Sequence, residues 1–81
     1  MISENEEKYM NCFVEAFEIE LDKVNDKLEY QSIPEWDSIG HMGLISSLEE
    51  TFNVSIETDD IVELGSYNIG KEMLIKYGVN F

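Results

Sequence analysis

The sequence predicts an all-α protein, a four-helix bundle with a long loop between helices 1 and 2 and a short helix 3. Apolar residues recur at intervals of three and four in separate stretches, the spacing of one face of a helix. No segment alternates apolar and polar residues long enough to indicate a strand, and the chain has no internal repeat. A chain of 81 residues has room for one core, so residues 1–81 are expected to form a single domain.

The first predicted helix runs from Glu4 to about Phe17. Glutamates near its start favour the positive end of the helix dipole. Cys12 lies off the apolar stripe, and we expect it to fill space or lie at the surface without a role in chemistry. The stripe itself consists of Tyr9, Met10, Phe13, Val14 and Phe17.

A long connection then extends from Glu18 to Trp36. Its apolar residues are scattered, and the only proline, Pro34, lies near its end. Loops of more than about 12–15 residues are uncommon in compact domains. We therefore expect either a short helical turn around Val24 to Leu28 or, as we favour, a segment that wraps the bundle with its apolar side chains turned inwards.

Asp37 and Ser38 precede the second predicted helix, Ile39 to Phe52, and their side-chain oxygens suit the free N–H groups of a helix start. Asn53 is expected to end this helix in a left-handed conformation. The apolar stripe of the helix contains Met42, Leu44, Ile45, Leu48 and Phe52. The opposite side is predicted to contain Gly40, Gly43, Ser47 and Glu50.

Two shorter helices complete the predicted bundle. After Val54 and Ile56 fold back, Thr58 begins a short third helix that continues through Leu64. Ser66 is predicted to cap a fourth helix, which ends at Gly78. The apolar stripe of the fourth helix contains Tyr67, Gly70, Met73, Leu74 and Tyr77.

The composition restricts the classes of protein to which the chain can belong. A formal net charge of -13, with no Arg, argues against a surface for nucleic-acid phosphates. A single cysteine and a single histidine provide neither an internal disulfide nor the ligands of a structural zinc site. No apolar run approaches the roughly 18 residues of a membrane span and the start is acidic, so we expect a cytoplasmic protein. The charge also predicts a marginal fold that added salt or divalent cations stabilise.

Groups suited to catalysis are scarce, and we predict a protein that is not an enzyme, with no catalytic residues and no metal ligands. The chain has no glycine-rich phosphate loop, no arginine to clamp an anion and no second histidine. Ser38 is the one placement of interest, because a hydroxyl at a helix N-terminus lies where a phosphate group is stabilised. Most serines at such positions, however, only cap the helix.

The segment from Trp36 to Met42 resembles the phosphopantetheine-attachment motif of the acyl carrier protein family. It contains Asp-Ser-Ile, a close variant of the family's Asp-Ser-Leu, and is followed by an aliphatic helix that ends in Leu-Glu-Glu-x-Phe. Ile56 follows shortly afterwards, as in the family. With the four-helix plan included, the resemblance covers roughly residues 5–78.

The resemblance implies that Ser38 carries 4′-phosphopantetheine, which a separate magnesium-dependent phosphopantetheinyl transferase takes from coenzyme A. The thiol of this arm would hold an acyl or aminoacyl group as a thioester for delivery to partner enzymes. Asp37 would cap the helix and lie near the metal of the transferase. The residues expected to contact partners are Ile39, Gly40, His41, Met42, Glu49 and Glu50.

Some of these roles have alternatives. Ile39 could instead belong to the core, and His41 is expected to be half-buried and hydrogen-bonded, with partner contact or sensing as the other possibility. Gly40 and Gly43 stand where carriers of fatty-acid synthesis often have exposed acidic residues. The combination Trp-Asp-Ser-Ile-Gly-His-Met resembles stand-alone carriers of specialised pathways, such as glycan, antibiotic or siderophore assembly, more than the fatty-acid carrier. If the bundle takes up its cargo, the candidate lining residues are Met42, Ile45, Ile61, Leu64, Tyr67, Met73 and Leu74.

The leading interpretation is a monomeric acyl or aminoacyl carrier that works with a transferase, a loading enzyme and downstream synthases. A second interpretation is a peptidyl or aminoacyl carrier paired with an adenylating ligase, which differs in cargo rather than in chemistry at Ser38. A third is an acidic adaptor that binds a basic protein surface and is never modified. The sequence does not distinguish the cargo.

Overall fold

Four α-helices make up most of residues 3–81, the part of the chain that the computed structural model describes. They are α1 (Glu4–Phe17), α2 (Ser38–Phe52), α3 (Thr58–Glu63) and α4 (Tyr67–Lys76), with a short 3-10 helix at Leu21–Lys23. Residues 3–81 contain no strand, only an isolated antiparallel bridge between Glu29 and Ser66. The all-helical prediction is confirmed, and the helix limits agree closely with the predicted ones.

The helix ends follow from side-chain caps and left-handed residues. Ser3 accepts a hydrogen bond from the Glu6 amide at the start of α1, and Ser66 accepts one from the Ile69 amide at the start of α4, both over 3.1 Å. Asn53 ends α2 in the left-handed region at φ 53°, as predicted. These caps satisfy backbone groups that a helix end leaves without partners.

The core is a single cluster of apolar side chains contributed by α1, α2, α4 and the segments between the helices, and the partly buried Ile61 of α3 packs against it. Trp36, Tyr9 and Phe13 are its largest fully buried members. Phe13 meets the ring of Tyr9 at a centroid distance of 5.0 Å and the ring of Trp36 at 5.6 Å, both edge to face. Burying side chains of this size contributes about 1.5–3 kcal/mol each.

Cys12 belongs to this core, with 2% of its surface exposed. Its thiol lies 3.4 Å from the hydroxyl of Thr51 on α2. Of the two placements expected from the sequence, space-filling is therefore correct and surface exposure is wrong. Cys12 is buried because α2 packs along α1 and covers the side of α1 next to the apolar stripe.

The long connection wraps the bundle, which confirms the favoured prediction. Val24, Leu28 and Trp36 are buried along it. The carbonyl oxygen of Leu28 accepts a hydrogen bond from the Tyr67 amide over 2.9 Å, and the Tyr30 amide donates to the carbonyl oxygen of Gly65 over 2.9 Å. The helical turn of this segment lies at Leu21–Lys23, ahead of the place considered from the sequence. The connection is thus fastened to the start of α4.

No helix within residues 3–81 is both long and apolar enough to cross a membrane.

Candidate functional site

Ser38 is the first residue of α2, and its side chain is exposed. The cap of the helix is Asp37, whose Oδ1 accepts a hydrogen bond from the Gly40 amide over 2.8 Å. Sequence reasoning allowed either residue to cap α2, and the structure assigns this role to Asp37. The hydroxyl of Ser38 is consequently not engaged in capping and remains accessible.

Tyr30, from the long connection, is the side chain that meets Ser38. Its hydroxyl oxygen lies 3.2 Å from Oγ of Ser38, and either atom can be the donor. The ring is turned edge-on to the rings of Trp36 and His41, with centroid distances of 6.4 and 5.6 Å. Since the backbone amide of Tyr30 is bonded to Gly65, this ring is held beside the start of α2.

His41 of α2 is hydrogen-bonded through both nitrogens of its ring, one to the segment before α2 and the other to α3. Nε1 of Trp36 donates to Nδ1 of His41 over 3.0 Å, and Nε2 of His41 lies 2.7 Å from the carbonyl oxygen of Ile61. An indole N–H can only donate, so Nδ1 accepts and the ring proton is on Nε2, which donates to Ile61. The half-buried, hydrogen-bonded placement expected for His41 is confirmed.

A surface cleft of about 400 Å³ opens beside Ser38, between α2 and α3. Met42 on one wall and Val62 on the other are 52% and 79% exposed, and Ile39 next to Ser38 is 84% exposed. Apolar side chains this exposed on a small domain are candidates for contact with other molecules. The cleft is lined by Tyr30, Ser38, His41, Met42, Ile61, Val62, Leu64 and Gly65.

The exposure of individual side chains shows where Ile39 and the residues considered as cargo lining lie. Ile39 projects into solvent and is not part of the core, so the alternative of a core position is wrong. Among the residues considered as lining for cargo, Met42, Ile61 and Leu64 line the cleft. The remaining four are buried in the core cluster: Ile45, Tyr67, Met73 and Leu74.

Gly40 does not lie on the outward side of α2, and that expectation is wrong. A Cβ atom at Gly40 would overlap the carbonyl oxygen of Glu35 and would lie 3.3 Å from a ring carbon of Phe17. Gly40 therefore permits the segment before α2 to pass close to the helix backbone. Gly43 has open space around its Cα, which agrees with the predicted outward position.

Glu49 and Glu50 lie near the other end of α2, away from Ser38. Glu49 is half-buried, and its Oε2 accepts a hydrogen bond from the Ile56 amide over 2.9 Å. It thereby fastens the turn that follows α2. Glu50 is exposed and lines a separate open groove with Ser46 and Asn53. Of the two glutamates, Glu50 is the one with a free carboxylate.

The short helix α3, which forms one wall of the cleft, is tied to α4 by Asp60. Its Oδ1 accepts from Nζ of Lys76 over 2.6 Å, and its Oδ2 accepts from the hydroxyl of Tyr77. The hydrogen bond from Lys76, followed by that from Tyr77, holds the pKa of Asp60 below its usual value. The same contact raises the pKa of Lys76. These contacts position α3, and neither Lys76 nor Tyr77 lines the cleft beside Ser38.

Three residues that line the cleft were not predicted from the sequence: Tyr30, Val62 and Gly65. Tyr30 reaches Ser38 only because the loop folds back, and no local pattern signals that contact. Val62 could have been noticed as an apolar residue on the outward side of a short acidic helix. Within residues 3–81, no three His, Cys, Asp or Glu side chains are arranged to hold a metal ion.

Comparison of the chain with protein-family models, curated proteins and solved structures gave no match. The fold and the site define a small helical protein with an accessible serine at the start of its second helix. These comparisons identify no family for the chain.

Proposed function

We propose that this protein is a carrier that holds acyl or aminoacyl groups as thioesters on 4′-phosphopantetheine attached to Ser38. The observation that carries the proposal is the accessible hydroxyl of Ser38 at the first position of α2, left free because Asp37 caps the helix. This placement occurs within the motif that resembles the attachment site of acyl carrier proteins.

Attachment is chemically reasonable at this position. Oγ of Ser38 would attack the β-phosphorus of coenzyme A and lose its proton, as the bond to the departing 3′,5′-ADP breaks. The new phosphodiester would lie at the N-terminus of α2, where backbone N–H groups and the helix dipole favour negative charge. An esterified Oγ can only accept a hydrogen bond, so Tyr30 would become the donor to it.

The surface around Ser38 suits transient contact with partner enzymes. Ile39, Met42 and Val62 provide exposed apolar side chains beside the attachment point. The net charge of -13 favours rapid encounter with basic patches on partners. These partners would be the phosphopantetheinyl transferase, a loading ligase or transferase, and the enzymes that use the cargo.

The decisive experiment is intact-protein mass spectrometry after incubation with coenzyme A, magnesium and a promiscuous phosphopantetheinyl transferase. We expect the wild type to gain one 4′-phosphopantetheine and Ser38→Ala to gain none. Ser46→Ala, which changes an exposed serine further along α2, is the matched control and should be modified like the wild type. Ser38→Ala should fold normally because Ser38 does not cap the helix.

Absence of modification in correctly folded wild type would refute the carrier proposal. The remaining interpretation would then be an acidic adaptor that binds a basic protein surface without a prosthetic group. If modification occurs, acyl- and aminoacyl-loading enzymes distinguish the cargo classes, because an adenylating ligase paired with this carrier would load an amino acid.

A further inference from the structure

The cleft beside Ser38 leads from the surface toward the interior of the bundle. Met42 of α2 forms one wall, and Ile61 and Val62 of α3 form the other. A flexible group attached to Oγ of Ser38 that folds back onto the protein through this cleft reaches the residues at its inner end, His41 and the buried Leu64.

Hydrogen bonds of His41 close the inner end. The imidazole joins Nε1 of Trp36 to the carbonyl oxygen of Ile61 and so binds α2 to α3 across the cleft. Trp36 has no exposed surface. Separating the two helices here would break the hydrogen bond between Nε2 of His41 and the carbonyl oxygen of Ile61, whereas the bond from Trp36 holds the imidazole in place on the α2 side. The part-buried groups that lost this bond would keep their desolvation penalty.

The space beside Leu64, the buried residue that lines the cleft, is already filled. Leu64 packs against Gly70 of α4, and the hydroxyl of Tyr9 occupies the place where a side chain at Gly70 would lie. Tyr67 and Leu74 belong to the same buried cluster. Since protein cores are close-packed, an alkyl chain could enter only by displacing these side chains.

We infer that the carrier delivers a short acyl or aminoacyl group that stays outside the bundle, because the Trp36–His41–Ile61 hydrogen bonds close the inner end of the cleft between α2 and α3. This inference rests on the proposed function. A long alkyl chain that extends beyond the cleft would expose its hydrophobic surface to water, so a short cargo is the one that such a carrier suits.

The test compares acetyl, butyryl and octanoyl forms of the carrier, made from the apo-protein with the corresponding acyl-coenzyme A and the promiscuous transferase. Mass spectrometry establishes loading, and thermal unfolding gives the Tm. Each methylene buried inside the bundle would raise the Tm by about 3–6 °C. We expect the three forms to melt within about 2 °C of one another, which is less than the effect of one buried methylene. We also expect the ¹⁵N shifts of the His41 ring to report protonation at Nε2 in all three.

A Tm that rises steadily from acetyl to octanoyl would overturn the inference, as would loss of the His41 hydrogen bonds in the octanoyl form. His41→Ala removes the closure, and we expect its octanoyl form to melt above its acetyl form. No such difference in a folded variant would refute the role given to His41. If the variant does not fold, the wild-type series decides. If Ser38 takes no group at all, the mass spectra show that the proposed function has failed, and the inference fails with it.

Discussion

The hydroxyl of Tyr9 donates a 2.6 Å hydrogen bond to the carbonyl oxygen of Tyr67, the first residue of α4. Tyr9 has no exposed surface, and its burial raises the pKa of its phenol far above the usual value. Burial, followed by the charge of Glu6, raises the pKa of Tyr67 to about 12. The contact places the Tyr9 hydroxyl directly over Gly70, and it joins α1 to the start of α4.

Gly70→Ala should destabilise the protein strongly, because the added Cβ would overlap the Tyr9 hydroxyl and lie 2.9 Å from a methyl carbon of Leu64. Overpacking of this kind costs about 1–3 kcal/mol. Tyr9→Phe removes the obstructing oxygen together with its hydrogen bond. In urea unfolding, we therefore expect the double variant to be more stable than the sum of the two single effects predicts, by about 1 kcal/mol or more. Strictly additive effects would contradict this packing.

The two glycines of α2 should respond in opposite ways to alanine. Gly40→Ala brings a Cβ into the backbone carbonyl of Glu35, which cannot move as a flexible side chain can, so we expect a loss of about 1–3 kcal/mol. Gly43 has open space, and Gly43→Ala should stabilise the helix by up to about 1 kcal/mol. Both variants replace glycine with alanine in the same helix, so the gain in helix propensity is the same for both. The difference between their free energies of unfolding in urea therefore measures the packing effect at Gly40. Equal responses would refute the close approach at Gly40.

The helices, their caps and the exposed serine could be predicted because they follow from local patterns. Asn53 ends α2 and Ser66 caps α4 through contacts a few residues away. The inward position of Gly40 could not be predicted, since it depends on how the segment before α2 folds back. The same holds for the contact between Tyr30 and Ser38. Periodicity alone identifies the faces of a helix but not the backbone that approaches them.

His41→Phe should cost about 1–3 kcal/mol, because a ring of similar size without nitrogens leaves the buried Trp36 N–H unpaired. Chemical denaturation measures the loss. Tyr30→Phe is the control, since it removes only a hydrogen bond between exposed side chains and should change stability by less than about 0.5 kcal/mol. Equal effects of the two variants would argue against a structural role of the His41 bridge.

Acid should weaken the contact between α1 and α4 made by Glu6. The hydrogen bond from Nζ of Lys71, over 2.9 Å, lowers the pKa of Glu6. Burial raises this pKa in part, whereas the charge of Lys71 and the hydrogen bond from the Tyr67 hydroxyl lower it further. A carboxyl whose pKa is lower in the folded than in the unfolded chain stabilises the fold above its unfolded pKa. That contribution is lost as the pH falls through the folded pKa.

We therefore expect the stability difference between wild type and Glu6→Gln to be constant near neutral pH and to shrink below the usual carboxyl pKa of 4.5. Denaturant titrations at a series of pH values measure it. Glu7→Gln, at an exposed position of the same turn, should show no comparable change. A difference that grows in acid would contradict the sign of the shift.

Added salt should raise the Tm. The 18 acidic residues are opposed by only five Lys residues, which leaves a net charge of -13, and Lys8, Lys71 and Lys76 are already paired with acidic side chains. Raising ionic strength from about 0.01 M to 0.1 M shortens the screening length from about 30 Å to 10 Å, which damps repulsion across the whole domain. Differential scanning calorimetry in NaCl tests this, with MgCl₂ at matched ionic strength revealing any added effect of divalent cations. A flat or falling Tm would show that the ion pairs outweigh the repulsion.

The attachment of the long connection to the start of α4 also bears on how the chain folds. The bonds from Leu28 to Tyr67 and from Tyr30 to Gly65 join segments far apart in sequence. Contacts of this kind are formed against the entropy of closing a long loop, whereas each helix needs only near neighbours. Helical structure should therefore precede the closure, and the wall of the cleft that Tyr30 provides is completed in the last steps of folding. An unfolded chain with the same Asp-Ser-Ile tripeptide lacks this wall, so under the proposed function a transferase that contacts the wall would discriminate folded molecules from unfolded ones.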